Sequence, residues 1–210
     1  LVTELVIPEG VATIGAYAFY GCTNLTGVTI PESVNTIGDY AFQSCYKLVE
    51  VINKSHHITV TKGGVGNGYV GYYAAAVYNG EDVITGTRLE DNGYLIYTLG
   101  EEKILLGYDG EEKNLVLPTY ITKINPYAFY NCNTLTSVTI PEGVTAIEKY
   151  VFYGCTNLTS ISIPESVTTI GDYAFRNCTN LSSVTFSEGI ASIGTYAFYG
   201  CTNLTSITLP

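Results

Sequence analysis

The chain has 210 residues, of which 46% are apolar and 13% charged, and this balance excludes a disordered protein. Nine Lys and Arg residues against nineteen Asp and Glu residues give a formal net charge of -10, which repels nucleic acids and anionic membranes. No stretch approaches the roughly 18 consecutive apolar residues of a membrane-spanning helix, and no secretory signal pattern is present. We therefore expect no nucleic-acid partner and no membrane insertion, and we interpret the chain as part of a longer protein.

A 23-residue repeat organises the sequence, because a Phe recurs at that interval wherever the pattern is unbroken and a Cys follows each Phe three residues later. In the unit that starts at Leu158, the segment LxxIxI alternates apolar residues and ends at Pro164, which predicts one short parallel strand per coil. The segment VTTIG predicts a second short extended piece, and DYAFRNC predicts a brief helical or 3₁₀ turn that closes the coil. Like residues of successive coils should stack about 4.8 Å apart. The Phe column comprises Phe19, Phe42, Phe129, Phe152, Phe175 and Phe198.

In chain order, the pattern divides the protein into N-terminal repeats at residues 1–52, an irregular insert at 53–113 and C-terminal repeats at 114–210. Within the insert, residues 68–78 are a candidate short helix because Ala74 to Ala76 favour helix. Asp91-Asn92-Gly93 is a hairpin signal between two strand-like runs, and a second turn follows at Gly100. The insert is therefore predicted to contain a short helix and an antiparallel β meander.

The repeat carries a signature of the form IPxxVxxIGxxAFxxCxxL, which includes Ile163-Pro164, Ile170-Gly171, Ala174-Phe175, Cys178 and Leu181. In this signature the chain resembles the BspA-like, or Treponema pallidum-type, leucine-rich-repeat bacterial surface proteins over residues 2–52 and 115–210. The resemblance implies a right-handed leucine-rich-repeat solenoid. It also implies a non-catalytic interaction module, with adhesion to host extracellular-matrix proteins or other cells.

The residue types that support catalysis or cofactor binding do not occur in a suitable arrangement. His56 and His57 are the only histidines, and adjacent residues of an extended segment point to opposite faces, so they are poorly placed to share a metal. Residues 66–71 satisfy the GxGxxG pattern, but the crossover helix of a dinucleotide-binding unit does not follow them. We expect no enzyme activity, no cofactor and no metal.

The even number of cysteines suggests disulfides at first sight. However, neighbouring Cβ atoms in an in-register column lie about 5 Å apart, whereas a disulfide needs roughly 3.5–4.5 Å. The column therefore predicts buried free thiols.

An acidic row follows the strand-ending position of successive coils. Two such charges about 5 Å apart in water repel each other by only about 1 kcal/mol, and their side chains are free to diverge. A solvated edge is therefore preferred to a cation site for Glu9, Glu32, Glu142, Glu165 and Glu188.

Tyrosine is the most distinctive surface feature, because 10 of the 19 tyrosines lie in two columns of the closing turn. One column precedes the Phe by two residues and the other follows it by one, so the two columns are predicted to share a face. A stacked ladder that covers the coil edges and an exposed stripe that binds proteins or sugars remain as alternatives. The candidate binding residues are Tyr17, Tyr20, Tyr40, Tyr127, Tyr130, Tyr150, Tyr153, Tyr173, Tyr196 and Tyr199.

These observations favour a cell-surface or secreted module with a protein partner, such as a host matrix protein, in an extracellular location. A carbohydrate or cell-wall binding module is one alternative, and a structural stalk that presents another domain is a second. A glycan would stack on the tyrosine columns or on the insert tyrosines Tyr69, Tyr72, Tyr73, Tyr94 and Tyr97.

Overall fold

The computed structural model of the chain describes residues 3–80, 86–186, 188–205 and 207. The chain forms two compact units, residues 1–86 and residues 87–210. The division falls inside residues 53–113, which the repeat pattern alone treats as one insert. The three-part division at residues 1–52, 53–113 and 114–210 therefore stays a prediction.

The described strands of the first unit form two parallel sheets, one along each side of the coils. Paired residues of consecutive repeats are 23 positions apart, as in Glu4 opposite Gly27 and Thr13 opposite Thr36. The larger sheet has the order β1-β3-β5-β6 and the smaller one contains β2 and β4. The strands are β1 (Glu4–Val6), β2 (Thr13–Ile14), β3 (Gly27–Ile30), β4 (Thr36–Ile37), β5 (Glu50–Asn53) and β6 (Ala76–Asn79).

The helix predicted at residues 68–78 is wrong. A 3₁₀ turn covers Asn67–Tyr69 with Gly68 at a φ of 61°, and Ala76–Asn79 is strand β6. β6 pairs in parallel with β5, where Ala76 lies opposite Glu50. The ladder that β5 offers thus outweighs the weak helix preference of the alanines. Residues 54–75 consequently form one further, irregular coil of the first unit.

Two asparagines organise the irregular coil. Asn53, which is fully buried, donates from Nδ2 to Ile58 O at 2.9 Å and to Asn79 Oδ1 at 2.8 Å. Asn79 in turn bonds the N–H and the carbonyl of Val60. These side-chain amides satisfy backbone groups at residues 58–60, where the structure has no strand.

The second unit begins with the predicted antiparallel meander of β7 (Thr87–Asp91), β8 (Tyr94–Leu99) and β9 (Glu102–Tyr108). Asn92 and Gly93, with φ values of 48° and 82°, form the two-residue hairpin turn that the sequence indicates. On its other edge β9 pairs in parallel with the short strand β11 (Lys123–Ile124), with Ile104 opposite Lys123. The meander and β11 therefore form one four-stranded sheet.

The regular coils of the second unit stack in register with the 23-residue offset, as in Ser137 opposite Ser160 and Ile147 opposite Ile170. One sheet has the order β10-β12-β14-β16 and another has β13-β15-β17, while β11 joins the meander. These strands are β10 (Asn114–Val116), β11 (Lys123–Ile124), β12 (Ser137–Thr139), β13 (Ala146–Ile147), β14 (Ser160–Ile163), β15 (Thr169–Ile170), β16 (Ser183–Phe186) and β17 (Ser192–Ile193).

The core of the second unit is the predicted Phe column together with the aliphatic columns of the strands. Successive rings from Phe129 to Phe198 are nearly parallel, with centroid distances of 5.1, 5.2 and 5.1 Å. Phe152 and Phe175 are fully buried, whereas Phe198 packs against the core only in part. Each coil thus buries its apolar face against its neighbours, which is the basis of stability in a solenoid.

Candidate functional site: two columns of tyrosine

The corner that carries the tyrosines is a run of tight turns. In one coil, the N–H groups of Tyr153 and Cys155 donate to carbonyls three residues earlier, which is the predicted 3₁₀ spacing. The N–H groups of Tyr150, Phe152 and Gly154 instead donate to the next coil. Alternate residues are thus bonded within and between coils, and the corner is not a continuous helical turn.

The tyrosines of the first column, two positions before each Phe, all have a positive φ, between 54° and 66°. In this left-handed region a residue other than Gly typically costs about 1–2 kcal/mol. The other positive-φ position of the corner holds Gly, Asn or Ser, as in Gly154 and Asn177. Tyr therefore adopts an unfavourable backbone conformation at these positions. Its ring makes contacts that the side chains of Gly or Asn would not make. The residues concerned are Tyr17, Tyr40, Tyr127, Tyr150, Tyr173 and Tyr196.

In the second unit the rings form stacked ladders along both columns. First-column centroids are 4.8, 4.9 and 5.5 Å apart for the pairs Tyr127–Tyr150, Tyr150–Tyr173 and Tyr173–Tyr196. In the second column, Tyr130 and Tyr153 stack at 5.0 Å. The columns also touch each other, with 5.8 Å between the rings of Tyr150 and Tyr153. A stacked ladder is thus present, and its use as a binding surface stays a prediction.

The first unit continues its tyrosine column into the irregular coil. Tyr17 stacks on Tyr40 at 5.2 Å, and Tyr40 stacks on Tyr69 at 5.8 Å. Tyr69 has a φ of 68°, like the tyrosines of the regular corners, and its ring meets Tyr72 edge-on at 5.5 Å. Because the spacing changes in this coil, the repeat pattern does not assign Tyr69 and Tyr72 to the columns.

An arginine replaces the second-column tyrosine in the coil of Phe175. The Cζ atom of Arg176 lies 5.9, 5.4, 5.8 and 5.1 Å from the ring centroids of Tyr153, Tyr173, Tyr196 and Tyr199. These distances are within the range of cation–π attraction. The Nε atom of Arg176 is buried and has no hydrogen-bond partner among the described residues, so the rings are its principal contacts.

Exposure varies along the columns. Tyr17, Tyr20, Tyr196 and Tyr199 are each more than half exposed, and Tyr40 is 38% exposed. The other column rings are half-buried, and those of Tyr150 and Tyr173 are stacked on both faces. The half-buried rings are Tyr127, Tyr130, Tyr150, Tyr153 and Tyr173. Each of the ten column rings therefore keeps part of its surface accessible.

The cysteine column consists of free thiols, and four of them are buried as predicted. The prediction of burial is wrong for Cys22, which is exposed in the first coil, and for Cys132, which is half-buried. The Sγ atoms of Cys155 and Cys178 each donate to the carbonyl of a Phe in an earlier coil at 3.0 Å. Burial raises the pKa of the Cys45 thiol to about 12. The four buried thiols, which donate to Phe carbonyls, fill the core and are shielded from reagents in solution.

The other predicted chemistry is not assembled into a site. His56 and His57 are exposed on the loop after β5, and residues 66–71 form a 3₁₀ turn and loop. The five glutamates of the acidic row are all exposed. Among the described residues, no group of three or more His, Cys, Asp and Glu side chains is arranged to hold a metal ion. No helix in that part of the chain is long and apolar enough to cross a membrane.

Two of the insert tyrosines are unavailable as sugar platforms. Tyr97 is fully buried. Tyr73 is 7% exposed, and its hydroxyl oxygen accepts the Ser44 N–H at 3.0 Å. Tyr94 packs against Tyr108 at 4.9 Å. Tyr69 and Tyr72 belong to the tyrosine columns, as described above.

The outward side of β12, β14 and β16 carries small hydroxyl residues. Ser162 and Thr185 are exposed and lie opposite each other in the ladder. Ser137 donates from Oγ to Asn114 Oδ1 at 2.8 Å. This sheet face offers hydrogen bonds but no large anchor side chain of the kind that dominates protein interfaces.

Parallel coils with a 23-residue offset, one short strand per side and a continuous apolar interior define a leucine-rich-repeat solenoid. The family model of the BspA type leucine rich repeat region matches residues 1–63 and 108–210, in 6 copies. The chain therefore belongs to the BspA-type leucine-rich-repeat family.

Solved structures share the fold. A leucine-rich repeat protein from Eubacterium ventriosum is 23% identical with a TM-score of 0.60, and the alignment covers 97% of this chain and 65% of that one. A leucine rich cell surface protein from Faecalibacterium prausnitzii is 21% identical with a TM-score of 0.53, and the alignment covers 96% of this chain and 58% of that one. The chain thus spans less than two thirds of the length of either protein. No curated protein sequence matches it significantly.

Proposed function

We propose that this chain is a non-catalytic protein-binding module, displayed on a cell surface or secreted, that adheres to host extracellular-matrix proteins or to other cells. The observation that carries the proposal is the tyrosine columns of each unit, whose rings stack along the coils and keep part of their surface exposed. Membership of the BspA-type family and the surface location named for the Faecalibacterium protein support it.

Tyrosine is suited to this role because it gives a large contact area with only two rotatable side-chain bonds, and its hydroxyl still forms a hydrogen bond. Stacking holds the rings before a partner arrives, so little side-chain entropy remains to be lost on binding. The net charge of -10 favours a partner with a basic surface and disfavours an anionic one.

The test is binding of the whole chain to immobilised fibronectin, fibrinogen and intact cells, measured by surface plasmon resonance and cell adhesion. A variant in which Tyr17, Tyr20, Tyr196 and Tyr199 are all replaced by Ser should lose at least about tenfold in affinity. A matched control, Ser162→Ala with Thr185→Ala, changes the sheet face and should bind normally. Absence of any signal at tens of micromolar wild-type protein would contradict adhesion.

Carbohydrate binding is the second candidate function, because Tyr196 and Tyr199 meet edge to face at 89° and leave ring surface exposed. A pyranose ring stacks on such a surface in many sugar sites. A glycan array and purified cell-wall glycans separate this function from protein adhesion. Loss of both activities would leave the chain as a stalk for another domain.

A further inference from the structure

We propose that a cluster of four tyrosines, matched by coil position to the four rings around Arg176, binds the guanidinium group of an arginine side chain supplied by a protein partner. The cluster, called here the Gln43 frame, consists of Tyr20, Tyr40, Tyr69 and Tyr72, all within the first unit. The inference rests on the proposed protein-binding function and names the chemistry of the partner at one position of the tyrosine columns.

The second unit contains the same kind of frame with its cation in place. Arg176 is surrounded by one second-column tyrosine of the preceding coil, the first-column tyrosine of its own coil and both tyrosines of the following coil. All four ring centroids are within 5.9 Å of its Cζ atom. The chain thus shows that four tyrosines in this arrangement hold a guanidinium.

Gln43 has the same place in its coil that Arg176 has in its own. Gln43 follows Phe42 directly, as Arg176 follows Phe175. Both coils also carry Gly-Asp-Tyr before the Phe, at residues 38–40 and 171–173. The sequence context of the two positions therefore matches, and the residue after the Phe is Gln in one coil and Arg in the other.

Two ring pairs within the frames, and one contact that joins each frame to the preceding ring, have similar separations. Tyr40 and Tyr69 are 5.8 Å apart at 21°, compared with 5.5 Å at 26° for Tyr173 and Tyr196. The edge-on pair is 5.5 Å apart in both frames, Tyr69 with Tyr72 and Tyr196 with Tyr199. The contact between columns that precedes each frame is 5.8 Å in both, Tyr17 with Tyr20 and Tyr150 with Tyr153.

The two frames differ in the charge of the residue that follows the Phe. Gln43 is neutral and shorter than Arg by the length of a guanidinium, so the electron-rich faces of its four tyrosines receive no positive charge from it. Its amide oxygen is an acceptor for a guanidinium N–H. Tyr20 and Tyr40 are 52% and 38% exposed, and Asp39 beside them is exposed, so a cation approaching from solvent meets rings and a negative charge.

An arginine fits this frame better than a lysine or a sugar. A guanidinium is planar, stacks on aromatic rings and is more weakly hydrated than an ammonium group, so less hydration is lost on entry. The net charge of -10 draws cationic segments towards the protein. The partner we infer is therefore a protein segment with a protruding arginine.

The experiment is an NMR titration of the whole chain with acetyl-arginine amide through the millimolar range, with tyrosine ring signals as the readout. The wild type should bind at one set of rings, those of the Gln43 frame. Gln43→Arg supplies the cation internally and should weaken binding at least about tenfold. Arg176→Gln recreates the Gln43 arrangement in the second unit and should add a second binding position.

Acetyl-citrulline amide, which is neutral and nearly isosteric, and acetyl-lysine amide protonated on its side chain are the matched ligand controls. We expect no saturation with the first and weaker binding with the second. Equal binding of arginine and citrulline, or equal binding by the wild type and Gln43→Arg, would overturn the inference. If Gln43→Arg fails to fold, the gain of a site in Arg176→Gln still decides the matter.

The same variants separate this inference from the proposed function. If Gln43→Arg still binds the matrix protein as the wild type does, the partner uses other rings, and the inference fails while the adhesive function remains. If the wild type binds acetyl-arginine amide and no matrix protein or cell, the frame is confirmed and adhesion fails.

Discussion

The ring of Phe152 lies 5.2 Å from that of Phe175 with 9° between their planes, and both side chains are fully buried. Phe152 also stacks on Phe129 at 5.1 Å, so its ring is covered on both faces by the same residue of neighbouring coils. The relationship identifies the Phe column as the contact through which one coil stabilises the next.

Phe152→Ala should lower the free energy of unfolding by about 3–5 kcal/mol, because it removes both stacking contacts and leaves a cavity. Chemical denaturation followed by circular dichroism measures the change. Phe198→Ala is the matched control and should cost less, since Phe198 is only partly buried. A melting temperature within about two degrees of the wild type for Phe152→Ala would contradict the column as the main stabilising element.

Tyr150→Gly should be more stable than Tyr150→Ala, by about 1 kcal/mol, because φ at this position is 61° and Ala tolerates that conformation poorly. Both variants lose the stacked ring, so the comparison isolates the backbone. Tyr153, where φ is not positive, is the control position, and there we expect the Ala variant to be the more stable. The same order of stability at both positions would contradict the backbone argument.

Thiol labelling of the native protein near pH 8 should be rapid for Cys22, which is exposed, and slower for Cys132, which is half-buried. The remaining four thiols are buried and should react only after unfolding. In guanidinium chloride all 6 cysteines should react. If fewer than six cysteines react in a protein prepared without reductant, a disulfide is present and the prediction of free thiols is contradicted. Cys22→Ser provides the control, because it should remove the rapid phase alone.

Stability should fall as the pH rises above about 9. Burial raises the pKa of Cys45 from 9.0 to about 12 in the folded protein, so between these values the unfolded chain loses its proton while the folded chain keeps it. The pKa of Cys201 is also raised, through its hydrogen bond with the Cys178 thiol and through burial. The protonated thiols therefore contribute their full stability below the thiol pKa of the unfolded chain, which is 9.0. This contribution is lost as the pH rises from there towards the higher pKa of the folded protein.

The measurement is the free energy of unfolding in guanidinium chloride at about pH 7.5 and about pH 10. Cys45→Ala should show a smaller decrease between the two pH values than the wild type, although its stability at neutral pH will be lower. An increase in wild-type stability at the higher pH would contradict the assignment.

The regular part of the fold was predictable because each residue of the repeat faces the same surroundings in every coil. Most repeats have residues equivalent to Phe175, Cys178 and Pro164. Stacking these equivalents in register gives a buried Phe column, a thiol column and a strand that ends at Pro. The irregular coil was not predictable in this way. Ala76 pairs with Glu50 across 26 residues, and the partner that makes it a strand is not visible in the local sequence.

The tyrosine surface was predictable in position and only partly in its chemistry. Tyr150 and Tyr173 could be assigned to a column from spacing, but their positive φ reflects turns that alternate bonds between two coils. Arg176 interrupts the pattern at a column position, and this substitution was the available signal for its contacts with four rings. The sequence does not show which rings contact Arg176, because Tyr196 and Tyr199 belong to the following coil.

The uniform offset of 23 residues in the ladders of β12, β14 and β16 has a consequence for how such proteins change over generations. Excision or duplication of one whole repeat joins equivalent positions, so every column Phe, every Cys and every first-column Tyr still meets its own kind across the new junction. Unequal recombination between repeats would shorten or lengthen the array by whole coils, in steps of about 4.8 Å, without creating a mismatched interface.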